Sequence, residues 1–270
     1  MRVGLVQLRT PATHEAALAH AAPLVREAAA GGAEFILTPE GTNILQRDRE
    51  QLLPQLKTVE EDPVVRGLRA LAAELAVWID IGSALVTDAG KCANRQLLVA
   101  PDGSIAASYD KIHMFDVDLP TGETARESHV YEPGKAAVLA DTPLAKLGLT
   151  VCYDMRFPAL YRALTVGGAQ VLTVPAAFTR PTGEAHWEVL LRARAIETGS
   201  YVLAAAQGGL HEDGRGTWGH SLVVGPWGEI VGQLDHDEPG VLFADLDLAK
   251  VEAARSAIPA LKNARQFTGP

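Results

Sequence analysis

Apolar runs of strand length recur along the chain, several with no charge on either face. They are VGLVQL (3–8), EFILT (34–38), VWIDIGSALV (77–86), QLLVA (96–100), LGLTV (147–151), QVLTV (170–174), YVLAAA (201–206) and SLVVG (221–225). Strands that are apolar on both faces are covered on both sides. Between them the apolar spacing turns helical at about 13–30, 63–76, 158–167 and 184–199. The first of these segments opens at Thr13, carries Glu15 and Glu27, and closes at Gly31-Gly32. PDGS (101–104) and PWGE (226–229) are turn sequences flanked by strand patterns, which predicts two hairpins. Strand–helix units interrupted by hairpins disfavour a purely parallel sheet. They suit an α/β fold in which two mixed sheets pack face to face with helices outside, an α-β-β-α sandwich. No repeat, low-complexity linker or shift in composition divides the chain, so residues 1–270 are expected to form one unit. The segment 247–270 opens as a helix and ends, from about 257, in a loose basic tail (LKNARQFTGP), free to fray or to dock on a partner subunit.

With 270 residues, 47 % of them hydrophobic, and a mean hydropathy of +0.06, the chain can bury a sizeable core. A net charge of −9 argues against general nucleic-acid or anionic-membrane binding, and an anionic ligand would need local cations. The two cysteines, Cys92 and Cys152, lie far apart and outside any C-x-x-C or Cys/His cluster. That spacing suggests a reducing compartment, no disulfide framework and no metal site. The start, MRVGLVQLRTP, lacks a basic segment leading into a long apolar stretch, and no run approaches roughly 18 apolar residues. The expected location is therefore the cytoplasm.

The chemistry concentrates at strand ends. Glu40 follows FILTP, Lys111 follows SIAASYD and Cys152 follows LGLTV within KLGLTVCYDMRFP, all where a buried strand emerges into a loop. Singly, each has an ordinary reading as loop acid, surface lysine or small buried hydrophobe. Together they make a nucleophile set. A thiol needs a base or a cation beside it, which Glu40 could supply, with burial expected to lift its pKa toward neutrality. An attacked carbonyl needs a donor about 3 Å from its developing oxyanion, which the Lys111 ammonium or the Tyr153 backbone N–H could provide.

The segments LTPEG, YDKIHMFDVDLP, RESHVYEPG, GLTVCYDMRFP and AHWEVLLRARAIET, in this order, resemble the nitrilase superfamily of carbon–nitrogen hydrolases over essentially the whole chain. Within it they are most similar to the Nit-type acid amidases. The resemblance implies an α-β-β-α sandwich that usually assembles as a homodimer or higher homo-oligomer, and no cofactor. It also implies roles: Cys152 as nucleophile, Glu40 as general base and later acid, Lys111 as oxyanion stabiliser, and Glu127 as a second acid orienting Lys111 and the incoming water or substrate. By the same likeness Phe178 and Thr182 line the pocket, and His129 and Arg156 contact substrate. The other reading of Arg156 is a salt bridge to Asp154 or another acid that shapes the turn. The implied reaction hydrolyses a small-molecule ω-amide of a keto acid to a carboxylate and ammonia through a cysteine thioester. Deaminated glutathione is the first expectation for the substrate. α-Ketoglutaramate, another aliphatic or carbamoyl amide, or a nonenzymatic metabolite-binding protein of the same fold are the alternatives.

Overall fold

In the computed structural model, which describes residues 1–88, 90–120 and 122–269, the strand patterns resolve into two six-stranded sheets. The first is built from β1 (Arg2–Gln7), β2 (Phe35–Leu37), β3 (Trp78–Asp88), β4 (Lys91–Val99), β5 (Ile105–Asp110) and β16 (Gly240–Asp245). The second is built from β8 (Val138–Asp141), β9 (Lys146–Leu149), β10 (Val171–Thr173), β11 (Tyr201–Ala204), β14 (Leu222–Val224) and β15 (Ile230–Gln233). Two small hairpins, β6 (Asp116–Asp118) with β7 (Thr124–Arg126) and β12 (Gly208–Leu210) with β13 (Gly216–Trp218), rise beside them. The helices are α1 (His14–Ala30), α2 (Arg49–Leu52), α3 (Pro63–Leu75), α4 (Pro158–Val166), α5 (Arg180–Thr198), α6 (Ala249–Ala257) and α7 (Ala260–Asn263).

Both sheets follow one plan. The first runs β16-β1-β2-β3-β4-β5 and the second β8-β9-β10-β11-β14-β15. In each, three adjacent parallel strands are flanked by antiparallel ones. The two expected hairpins occur as β4–β5 and β14–β15.

Side-chain alternation sets the layers. On β1, Val3 and Leu5 face the second sheet, in a core shared with Leu147, Leu149 and Val171, whereas Val6 and Leu8 face the α1 and α3 layer. Leu160, Tyr161, Trp187 and Leu191 of α4 and α5 cover the second sheet. Each fully buried aliphatic side chain contributes about 1.5–3 kcal/mol. The interface between the sheets is not wholly apolar. Gln96 Nε2 donates to Asp80 Oδ2 (2.8 Å) within the first sheet and to Thr173 Oγ1 (2.7 Å) across to the second, and burial pushes the Asp80 pKa up to about 7.

Two details depart from the pattern read above. Helix α5 begins at Arg180, not near 184, after the extended Thr179 and with Pro181 in the first turn, where a missing N–H costs nothing. Gly183 obscures that start in the sequence, and a Cβ there would lie 2.3 Å from Trp218. Strand β8 and the closing strand β16 were not singled out by hydropathy, since each alternates buried with exposed positions at the edge of its sheet. The tail from 264 to 269 is exposed. Among the described residues no helix is long and apolar enough to cross a membrane.

Candidate active site

The site forms where the parallel strands end. After β2 the chain turns at Gly41, whose φ of +68° suits glycine, and the Glu40 carbonyl accepts a hydrogen bond from Gln207 Nε2 (3.0 Å). This pins Glu40 with its carboxylate turned inward. Its Oε1 accepts from Lys111 Nζ (2.9 Å) and Asn94 Nδ2 (2.8 Å), and its Oε2 from the Ala177 N–H (2.9 Å). Lys111, fully buried just past β5, also donates to both Glu127 oxygens (2.9 and 2.8 Å). Glu127 in turn accepts from Asn94 (3.1 Å) and from the Phe115 N–H (2.6 Å). One ammonium thus lies between two carboxylates, both further tied by Asn94.

Cys152 follows β9 on a sharp turn with φ +49°, a left-handed conformation that costs a non-glycine residue about 1–3 kcal/mol and persists only where the surroundings enforce it. Here they do. The Cys152 N–H donates to Pro175 O (2.9 Å), and Asp154 binds the turn from behind. Asp154 accepts from the Val151 N–H (2.9 Å), the Tyr109 hydroxyl (2.6 Å) and the His113 N–H (3.0 Å), and its Oδ1 lies 2.6 Å from His113 Nδ1. The Tyr153 N–H, at the start of the same turn, finds no acceptor among the described residues.

The electrostatics separate the two proton-exchanging groups. Burial acts to raise the Glu40 pKa, but the Lys111 ammonium, a contact with Cys152 and the Ala177 N–H outweigh it and leave the carboxyl below its ordinary value. The lift toward neutrality expected from burial is therefore reversed by the neighbouring charge. Burial and the Glu40 charge push the Cys152 thiol well up against the opposing pull of Lys111. At neutral pH the pair rests as thiol and carboxylate, which leaves Glu40 able to accept a proton from the sulfur.

A cavity of about 320 Å³, within the range usual for small-molecule sites, opens over Glu40, Lys111, Glu127 and Cys152, with Tyr153, Phe178 and Thr182 in its wall. With that geometry in view, residues 2–256 match the family described as carbon-nitrogen hydrolase. The chain belongs to this family. This carbon–nitrogen hydrolase is 41 % identical over 238 residues to the deaminated glutathione amidase of Yersinia enterocolitica, covering 87 % of this chain and 82 % of that one. It is 37 % identical over 270 residues to omega-amidase NIT2 of Mus musculus, covering 98 % and 95 %. Its fold matches the crystal structure of the C. elegans NitFhit protein with a TM-score of 0.91 at 33 % identity, covering 98 % of this chain and 65 % of that longer one. It is accordingly a hydrolase acting on carbon–nitrogen bonds of linear amides.

Arg156 of the hydrolase does not pair with Asp154, whose oxygens are taken by Val151, Tyr109 and His113. Nor has it a carboxylate partner among the described residues. Its Nη2 lies 3.3 Å from His186 Nδ1, and its guanidinium sits 5.3 Å from the Phe178 ring and 6.0 Å from that of Tyr153, both cavity-wall residues. His129 is exposed and lies outside the cavity lining. It ends the short 3₁₀ turn that starts at Glu127, and two steps of about 120° along such a turn direct it away from the side Glu127 faces. Thr182 lies on the first turn of α5, not in a loop. Asn94, Ala177 and Gln207 were not picked out from the sequence. None carried a distinct signal there, Asn94 being one of several polar residues on β4. Among the described residues no group of three or more His, Cys, Asp or Glu side chains could hold a metal ion.

Proposed function

We propose that this hydrolase cleaves small ω-amides of keto acids by thiol catalysis, with Cys152 as nucleophile, Glu40 as base and acid, and Lys111 with the Tyr153 N–H as oxyanion donors. The observation that carries this is the ammonium of Lys111, held by Glu40 on one side and Glu127 on the other in the cavity that contains the Cys152 thiol. In the first half, sulfur bonds to the amide carbon while its proton passes to Glu40. The tetrahedral oxyanion rests on Lys111 and the Tyr153 N–H, then collapses as Glu40 protonates the departing nitrogen and the C–N bond breaks. The thioester left behind is hydrolysed by water that Glu40 deprotonates, releasing the carboxylic acid and the thiol. Glu127 fixes the ammonium throughout.

For the substrate, the names of the two relatives support deaminated glutathione first and α-ketoglutaramate second, the keto-acid carboxylate directed toward the Tyr153 and Phe178 wall, behind which the Arg156 guanidinium stands outside the cavity lining. The ammonia expected from the sequence needs one correction. An amide of deaminated glutathione bears a peptide on its nitrogen, so cysteinylglycine leaves and ammonia does not. A homodimer is part of the same reading, formed over the exposed apolar side chains Val189 and Ile196 of α5, Trp227 and Ile258, with the tail alongside. Two unpaired cysteines suit a reducing compartment such as the cytoplasm.

The test follows 2-oxoglutarate, the product common to both amides, and pairs it with thiol labelling. Wild-type protein should release it from at least one amide and Cys152→Ala from neither. Iodoacetamide should alkylate Cys152 far faster than Cys92. Release that survives in Cys152→Ala, or none from either amide, would overturn the proposal.

A further inference from the structure

Cations stand in the cavity wall and behind it, and they come from different parts of the chain. Arg156 stands behind the Tyr153 and Phe178 wall. Arg47, Arg49 and Arg215 line the cavity itself, along with an Arg126 that is paired with Asp118, in a protein whose net charge is −9. The first two belong to the segment that runs on from Glu40, and the third to the β12–β13 hairpin. Asp213 holds that hairpin and that segment together, accepting from the Arg47 backbone N–H (2.8 Å) and from Arg215 Nε (2.8 Å). Asp213 thereby neutralises Arg215. The guanidinium groups of Arg47 and Arg49 are exposed, and neither has a carboxylate partner among the described residues. Besides Glu40 and Glu127, which hold Lys111, one further acid, Glu123 on the β6–β7 hairpin, lines the same cavity.

We infer, on the basis of the amidase reading above, that this wall is a subsite for the leaving group, taking amines that end in a free carboxylate. The departing nitrogen must receive its proton from Glu40, so it lies on the Glu40 side of the carbonyl. Gly41, Leu45, Arg47 and Arg49 continue from Glu40 along the cavity wall, and whatever is attached to that nitrogen runs beside them. Leu45, Leu52 and Tyr131 offer apolar surface along the way, and the two unpaired guanidiniums meet the terminal carboxylate. The acyl half stays against Tyr153, Phe178 and Arg156, because its carbonyl oxygen is held between Lys111 and the Tyr153 N–H. The ligand class is thus an N-substituted ω-amide whose amine is an amino acid or a short peptide.

The experiment uses three amides of the same keto acid: the primary amide α-ketoglutaramate, the amide of glycylglycine, and the amide of glycylglycine carboxamide, which lacks the terminal charge. Release of 2-oxoglutarate is followed with wild-type protein, Arg47→Ala/Arg49→Ala and Arg156→Ala. Wild-type protein should favour the free carboxylate over its capped counterpart about tenfold in kcat/KM, the effect of one charge-assisted contact. Arg47→Ala/Arg49→Ala should erase that preference, lowering kcat/KM on the free carboxylate about tenfold more than on the primary amide. Arg156→Ala should depress all three amides alike. Equal rates on capped and uncapped amides in wild-type protein would overturn the subsite. So would an Arg47→Ala/Arg49→Ala loss equal on all three, which would assign those arginines to the keto-acid end. Hydrolysis of none of the three would overturn the amidase reading as well.

Discussion

Replacing Lys111 by methionine removes the positive charge while keeping most of the side chain's length, and it tests whether that charge sets the state of Glu40. In the native protein Glu40 sits below its ordinary pKa of 4.5 only because Lys111 and its other donors outweigh burial. A carboxyl depressed in this way contributes stability that is fully present above its unfolded value and is lost as pH falls through the folded value. Lys111, raised well above 10.5, contributes stability that is fully present below that ordinary value. Between pH 5.5 and 8 the pair therefore leaves the stability of the native protein flat. In Lys111→Met the sign reverses. Burial of Glu40 then goes largely unopposed, its pKa rises above the ordinary value, and the folded state loses stability as pH climbs above 4.5. Breaking a buried pair costs about 3–5 kcal/mol, which at about 2–4 °C per kcal/mol lowers Tm by roughly 6–20 °C at pH 8. Thermal melts of both proteins at pH 5 and pH 8, with amide hydrolysis measured in parallel, decide the matter. The Tm gap should narrow toward pH 5, and the variant should be inactive at both pH values. A gap of the same size at both would show that Lys111 does not govern the charge of Glu40.

Asp80 follows the opposite linkage from native Glu40. With its pKa raised to about 7, it withdraws stability as pH rises from its ordinary 3.8 through 7, up to about 4 kcal/mol when fully charged. Asp80→Asn should therefore gain on the native protein as pH rises, its Tm relative to native being higher at pH 8 than at pH 5, and a Tm difference of the same size at both pH values would refute this. Gly82→Ala should lower Tm sharply and take activity with it, because the added Cβ would lie 1.8 Å from Thr38 O and 2.3 Å from Pro175 Cβ, within the two chain segments that lead to Glu40 and Ala177. Such overpacking typically costs about 1–3 kcal/mol or more, so an unchanged melt would contradict the packing described between β3 and the second sheet.

What the sequence made legible was whatever lies next to a strand end. The apolar runs before Glu40 and Cys152 are long enough to be read as buried strands, and a reactive residue directly after such a run already suggests a site. Lys111 and the hairpin leading to it are readable for the same reason. The supporting residues gave no such signal. The Ala177 N–H is backbone and leaves no trace in side-chain chemistry. Asn94 looks like ordinary alternation until β4 lies against β5 and the Glu40 loop. Asp154 shows why proximity in sequence misleads. Arg156 is two positions away and of opposite charge, yet the acid is claimed by Tyr109 and His113, which stand 45 and 41 residues earlier. An acid at the foot of a strained turn is worth more as a brace for four donors than as half of an exposed pair, since exposed pairs contribute only about 0–1 kcal/mol.

In the proposed mechanism, the count of charges around the ammonium explains why the thiol does not ionise ahead of the reaction. Glu40 and Glu127 against Lys111 leave a formal charge of −1 before sulfur is considered. A thiolate formed there by losing its proton to water would add a second negative charge beside Glu40. At a separation near 4 Å and an effective dielectric of 20, that repulsion is about 4 kcal/mol. Passing the proton to Glu40 instead moves the charge from oxygen to sulfur and leaves the total unchanged, so the same carboxylate that holds the thiol neutral is its acceptor once a carbonyl arrives. Glu127 makes this exchange possible by keeping the ammonium in place. If Lys111 were held by Glu40 alone, protonating that carboxylate would release the one cation the oxyanion needs at the moment it forms.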